Sequence, residues 1–450
     1  LRNSVKHGYL HGCFFCYRRM AWCKMVIKNT CSYCKTCIWF FHVVRILKND
    51  FKWYKSLFEM IEEVRKLANH YFEDIVKIRR SIHQNPELSF EEFNTSLFIQ
   101  NILQENKISF QSGIVKTGIV AEVKGELESS NHLVLRADMD ALPIVEKNKI
   151  PYKSVNEGVM HACGHDVHSS SLLGTLLILN DLKHLFGGTI RFVFQPGEEK
   201  LPGGASLMIK EGILEPKPSC CIAQHVYPEL EAGKVGFKSG TYMASADEIY
   251  ITIKGKGGHA ALPHLLVDPI VISAQIITSL QQIVSRNNNP ENPSVLSFGY
   301  IDAKGATNVI PDSVHLKGTF RTFDEKWRFD AHNKIKSIVN SICDANGAEC
   351  DIDLKVGYPF LKNDPKLTTK SKESAIEYLG KENVIDLSLR MTSEDFSFFS
   401  QVSPCCFYRL GTGDGKTIKK LHTSTFDINE DALRTSTGLM AYIVLKELNS

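Results

Sequence analysis

The 450-residue sequence contains no internal repeat and no low-complexity tract, which excludes solenoid and propeller architectures built from stacked units. Nor is there a large charge excess. The formal net charge is +3, and it hides a division. Residues 1–59 hold 11 Lys and Arg against 2 Asp and Glu, whereas the rest of the chain holds 42 against 48. A mildly acidic body argues against a nucleic-acid surface spread over it. The basic arm has no run able to cross a bilayer: its longest apolar stretch, "CIWFFHVV", is far short of the ~20 residues required. The arm also lacks the ordered regions of a secretory signal. No nucleic-acid or membrane partner is therefore expected.

Cysteine, by contrast, is plentiful and unevenly placed. Six of the 13 lie in the arm, at Cys13, Cys16, Cys23, Cys31, Cys34 and Cys37. The others are scattered through strand-like apolar runs, which suits a reduced, cytoplasmic protein better than a disulfide framework. "CFFC" and "CSYCKTC" leave open a zinc knuckle, and a partner contact is also open. The preferred reading is that residues 1–59 are not part of the working enzyme.

From Met60 the pattern becomes regular. Ile61, Val64, Leu67, Ala68, Tyr71, Ile75 and Ile82 recur near helical spacing until Asn85-Pro86 stops the run. A second helix is expected near 90–105. Strand-like runs follow at 118–125, 132–138, 189–196 and 219–225, with helical patterns near 168–182 and 203–211. That alternation predicts an α/β fold with a mostly parallel sheet. Residues 238–355 read instead as βαββαβ, a ferredoxin-like arrangement expected to form an inserted lid and dimerisation domain. The catalytic domain is thus expected in two parts, 60–237 and 356–450, with glycine-containing hinges near Gly236–Gly240 and Gly357.

In an open parallel sheet, chemistry gathers beyond the carboxyl ends of the strands. "LVLRADMDALP" finishes at Asp138 and Asp140, "IRFVFQPGEE" at Glu198 and Glu199, and "CCIAQH" at His225. The segment "MHACGHDVH", residues 160–168, adds three histidines, a cysteine and an aspartate, and a C-terminal loop adds His422. Imidazole, carboxylate and thiolate together suit zinc, with manganese or cobalt also possible. So many groups suggest two divalent ions sharing ligands. Of the adjacent pair Glu198 and Glu199, one would coordinate and the other would carry a proton from water to a leaving nitrogen.

These segments, with "RRSIHQNPELSFEE", "GKGGHAALPH", "NVIPDSVHLKGTFRTFD", "MTSEDFSFF" and "LHTSTFDINEDAL", resemble the M20 metallopeptidase family in the right order across 60–450. The likeness is to its amidohydrolase branch of N-acyl-amino-acid, hippurate and auxin-conjugate hydrolases. The resemblance implies Cys163, His165, Glu199, His225 and His422 as ligands of two metal ions (zinc or manganese, with cobalt or nickel possible). It implies Glu198 as general base and Asp140 as the aspartate that orients a metal ligand. His259 matches a histidine offered to the oxyanion, commonly by the partner subunit of a homodimer. Arg321 and Asn308 match positions that hold the substrate carboxylate. Asp138, where peptidase branches carry histidine, and Cys163, where they carry aspartate, point to the amidohydrolases. The implied activity is hydrolysis of N-acyl amino acids to a carboxylate and a free amino acid. A dipeptidase or aminopeptidase on the same scaffold, or a non-enzymatic metal-binding protein, is the alternative. His161, His168 and His83 are weaker candidates, with His83 expected to be structural.

Overall fold

The computed structural model describes the backbone of residues 35–449 and the side chains of residues 58–449. The arm cysteines and the possible zinc knuckle lie outside the described side chains. The first helix is Lys35–Gln84, so helical order begins well before Met60 and crosses the boundary expected at residue 59. The chain divides into two units at Glu63/Val64, and the second holds both major sheets.

An eight-stranded sheet forms the centre of that second unit. The strands Gly187–Gln195, Leu127–Asp138, Cys220–Glu231 and Cys405–Gly413 run side by side, all parallel. Parallel strands buried on both faces need near-continuous apolar runs. Leu133, Val134, Leu135 and Ala137 meet that need, as do Ile190, Phe192, Val193 and Phe194, all essentially inaccessible. Antiparallel strands flank this core. Ser109–Ile114 and Gly118–Lys124 form one side, and Val235–Phe237 pairs antiparallel with Cys405–Gly413 on the other. The helices His165–Asp181 and Ala432–Leu448 are buried over most of their length, because each packs between the sheet and further layers.

A separate four-stranded antiparallel sheet is ordered Ser294–Asp302, Ser313–Thr322, Asp247–Lys254, Glu349–Val356. With the helices Pro269–Gln282 and Glu325–Ala345 its chain order is βαββαβ. Ile249, Ile251 and Ile253 alternate inward along Asp247–Lys254 and meet Ile272, Ile276, Ile335 and Val339 from the two helices. Truncating one of these isoleucines to alanine would cost about 2–5 kcal/mol.

The first strand of the four-stranded sheet begins at Asp247, inside the segment expected to form the insert. Val235–Phe237 belongs to the large sheet, and Gly240–Met243 pairs with Leu361–Asn363, so Gly236 and Gly240 both lie in paired strands. The two crossings run side by side. Ala246 N–H donates to Tyr358 O at 3.0 Å, and Gly357 N–H donates to the Asp247 carboxylate at 3.0 Å. A Cβ at Gly357 would fall 2.2 Å from Ala246 O, so only glycine allows this approach. Buried Asp247 also receives Arg328 and His332, the latter at 2.7 Å.

Candidate metal centre

Gly164 creates the centre locally. Its φ of +83° turns the chain between Cys163 and the first residue of the helix His165–Asp181, so both side chains face one space. An added Cβ would meet Val226 Cγ2 at 2.5 Å, and the backbone is strained for any L side chain. The strand Cys220–Glu231 brings up His225 from its interior rather than its end, because the strand runs six residues beyond the expected stop. Glu198 and Glu199 follow Gly187–Gln195, and His422 arrives on a loop held by His422 N–H donating to Ala162 O at 2.8 Å.

These side chains fall into overlapping clusters. Cys163, His165 and His225 form one, and Cys163, Glu199 and His422 form another. Cys163 Sγ is 3.5 Å from His225 Nε2 and 3.3 Å from His422 Nε2. His422 Nε2 is 3.2 Å from Glu199 Oε1. Cys163 is the member these two clusters share, so the set offers donors enough for two cations.

Ring orientation supports that fit. His165 Nδ1 pairs with Asp140 Oδ1 at 3.2 Å, and His225 Nδ1 donates to Val226 O at 2.8 Å. Each ring therefore presents Nε2 inward. His165 Nε2 is buried with no hydrogen-bond partner; the nearest carboxylate oxygens, of Asp138 and Glu198, are 3.7 and 4.0 Å away. Buried polar atoms left without partners are costly, and a ligated cation removes the cost. Proton affinities agree. Hydrogen bonds to Cys163 and Glu199 push His422 up to about 10. His165 is held well above the usual histidine range, because Asp138 and Cys163 outweigh its burial. The same field would retain a dication in place of these protons.

Asp140 does more than orient His165: its Oδ2 accepts Ser89 Oγ at 2.7 Å and Glu199 N–H at 2.9 Å. His168 forms a further possible cluster with Asp138 and His165, but its ring is already engaged. Its Nδ1 donates to Asp138 Oδ1 at 2.6 Å and its Nε2 accepts Val226 N–H at 2.9 Å, so both nitrogens are spent bracing the His225–Val226 peptide. His83 sits with buried Arg79 on Asp166, at 2.8 and 2.7 Å, in an ionic network separate from the clusters. His161 is fully buried and belongs to no cluster; burial lowers it to about 3.

Glu198 is buried within reach of Glu394 and Asp395. Burial, Glu394 and Glu199 raise its carboxyl well above the ordinary range, which suits a group that must take a proton and give it back. Arg136 braces this wall, donating to Asp138 at 2.7 Å, to Asp395 at 2.5 Å and to Gln195 at 2.8 Å. Sequence reasoning misses Glu394 and Asp395; the acid pair in "TSEDF" is the only signal of them.

A cleft of about 1450 Å³ joins these residues to the open face of the four-stranded sheet. Cys163, Glu198, Glu199, His225 and His422 line it, and so does Arg321. Half-buried Arg321 donates through Nη1 to Met391 O and Ser393 Oγ, both at 3.2 Å. His259 and Asn308 do not line it. They sit together on a small ribbon, where Ala260 N–H donates to Asn308 O at 3.0 Å and His259 is exposed.

Comparison with known proteins agrees with this arrangement. The model of peptidase family M20/M25/M40 matches residues 134–446. N-acetyl-L-cysteine deacetylase of Bacillus subtilis is 40% identical over 359 residues, covering 80% of this chain and 84% of that protein. N-acyl-L-amino acid amidohydrolase of Geobacillus stearothermophilus is 42% identical over 297 residues, covering 66% and 80%. The crystal structure of a dinuclear metal-binding peptidase of the M20 family from Bacillus subtilis superposes with a TM-score of 0.73 at 32% identity, covering 85% of this chain and 99% of that one. The chain belongs to peptidase family M20/M25/M40, and it is a hydrolase of that family.

Proposed function

We propose that the chain is a metal-dependent amidohydrolase that cleaves the amide of N-acyl amino acids. One observation carries the reading: a buried acid, Glu198, with no hydrogen bond to its carboxylate among the described residues, stands 4.0 Å from His165 Nε2, a ligand atom that itself has no hydrogen-bond partner. A protein that only stored metal would have no use for that acid. The names of the relatives support the substrate class.

Cys163, His165, Glu199, His225 and His422 would hold two divalent cations. When bound, these would polarise the acyl carbonyl and acidify water. The nitrogen, oxygen and thiolate donors favour zinc, and manganese, cobalt or nickel would also be accepted. Glu198 removes a proton from the attacking water and returns it to the amide nitrogen as the bond breaks. Arg321 holds the amino-acid carboxylate through the donors it does not spend on Met391 and Ser393.

His259 and Asn308 are assigned to the cleft of a second copy in a homodimer. Their exposure on a ribbon outside their own cleft supports this, as do the exposed apolar side chains Leu262, Leu265 and Val309 beside them. There His259 would donate to the developing oxyanion. The four-stranded sheet serves as lid and dimerisation domain, moving about the paired crossings at Ala246 and Gly357. Among the described residues no helix is long and apolar enough to cross a membrane. The seven free cysteines of the described part fit a reducing compartment such as the cytoplasm.

The test is hydrolysis of N-acetyl amino acids by metal-loaded protein. Glu198→Gln should keep the metal and lose turnover. Dipeptides cleaved well above N-acetyl amino acids would favour the dipeptidase reading instead.

A further inference from the structure

We propose that Arg390 is a specificity-determining residue that binds a second carboxylate on the substrate, so that the preferred N-acyl amino acids are dianions. This rests on the amidohydrolase reading above. Arg390 lines the same cleft as Glu198, His225 and Arg321. Its main chain is fixed on both sides: its N–H donates to Tyr242 O at 2.9 Å and its carbonyl accepts Ala244 N–H at 3.1 Å. The guanidinium lies 4.9 Å from the ring centre of Tyr227, two residues beyond His225 on the same strand. An aromatic face positions a guanidinium without consuming its N–H donors.

Those donors are uncommitted. Nε is buried with no hydrogen-bond partner, and among the described residues the side chain makes no ion pair. Other arginines nearby are spent. Arg136 serves Asp138, Asp395 and Gln195; Arg328 serves Asp247 and Glu325; Arg409 donates to Tyr242 Oη at 2.9 Å. Three of the acids that share the cleft are also engaged. Asp247 is taken by Arg328 and His332, Glu248 by Tyr250 and Glu394 by Arg136.

Arg321 meanwhile binds Met391 O, one residue along from Arg390, so the two guanidinium groups come from segments in contact. One fork suffices for the single carboxylate of a simple N-acyl amino acid. A second fork, half desolvated and unpaired, costs stability unless an anion fills it. The added carboxylate can sit on the amino-acid side chain or on the acyl chain, and the two sources are separable.

The experiment compares kcat/KM of the metal-loaded full chain for N-acetyl-alanine, N-acetyl-glutamate and N-succinyl-alanine. One diacid should exceed N-acetyl-alanine by about tenfold or more, and which one does so locates the second carboxylate. Arg390→Gln should cut that ratio by roughly 10- to 100-fold, mainly through KM. Arg390→Lys should restore part of it, since charge returns without the planar fork. A wild-type ratio near one, or a ratio that Arg390→Gln leaves unmoved, overturns the assignment while the amidohydrolase reading stands. Failure to hydrolyse any of the three with metals in place overturns that reading and Arg390's role with it.

Discussion

The centre on the large sheet and the ribbon on the small one are built in opposite ways. Around Cys163 every ligand candidate is contributed by the same chain, from segments as far apart as residues 163 and 422, and most are buried and held by further hydrogen bonds. His259 and Asn308 lie close in the chain and in space, yet they are exposed and outside the cleft they are expected to serve. One set of candidates is gathered within a single polypeptide. On the proposed reading, the other would act only in the cleft of a second molecule.

The sharpest way to break this contrast is to remove the proton carrier from the self-contained site. Glu198→Gln should lower kcat by about 10²- to 10⁴-fold while metal analysis shows unchanged content. Loss of the metal along with activity would mean that Glu198 is a ligand. Next in size, Cys163→Ala should release cations from both positions, whereas His225→Ala should empty one. Metal-to-protein ratios after dialysis distinguish shared from separate ligation, and equal losses would deny Cys163 its bridging place.

The other side of the contrast is tested by mixing. Glu198→Gln and His259→Ala chains, each nearly inactive alone, should regain about a quarter of wild-type activity when dissociated and reassembled together, since random pairing leaves one intact cleft in half of the dimers. No recovery would place His259 in its own chain's cleft or outside catalysis. The smallest effect concerns acid stability near the crossings. Burial raises Asp247, but bonds from Arg328 and His332 outweigh it and hold the carboxyl below the usual carboxylate range. A depressed folded-state value gives stability that is present above the ordinary carboxylate range and lost as pH falls through the depressed one. The gap between wild type and Asp247→Asn in thermal unfolding should therefore be full near neutral pH and shrink below about pH 4. A gap independent of pH would show that packing, not charge, holds the crossing.

Much of this was legible in the sequence because metal chemistry narrows the choice of side chain. Few residues other than Cys163, His165, Glu199, His225 and His422 could ligate from the ends of apolar runs, and the structure brings all five together. The family and its hydrolase class were legible for the same reason. The alternating pattern also foretold the mostly parallel sheet, because buried parallel strands demand apolar runs. What stayed hidden depends on partners distant in the chain. His168 could be recognised as a brace only once Asp138 and Val226 N were seen on either side of it. Arg390 reads as an ordinary surface cation until its lack of partners becomes visible. The early start of the first helix at Lys35 was masked by an arm too rich in cysteine and aromatic residues to show a helical period.

Asp140 carries a consequence of its own. One of its oxygens steadies His165 and the other steadies the peptide of Glu199, two candidate ligands that also share a cluster with Glu198. A cation held by either residue would therefore stiffen the scaffold of the other. Uptake of the pair should be concerted: a titration with divalent ions should rise sigmoidally, and half-filled molecules should be scarce at every point along it.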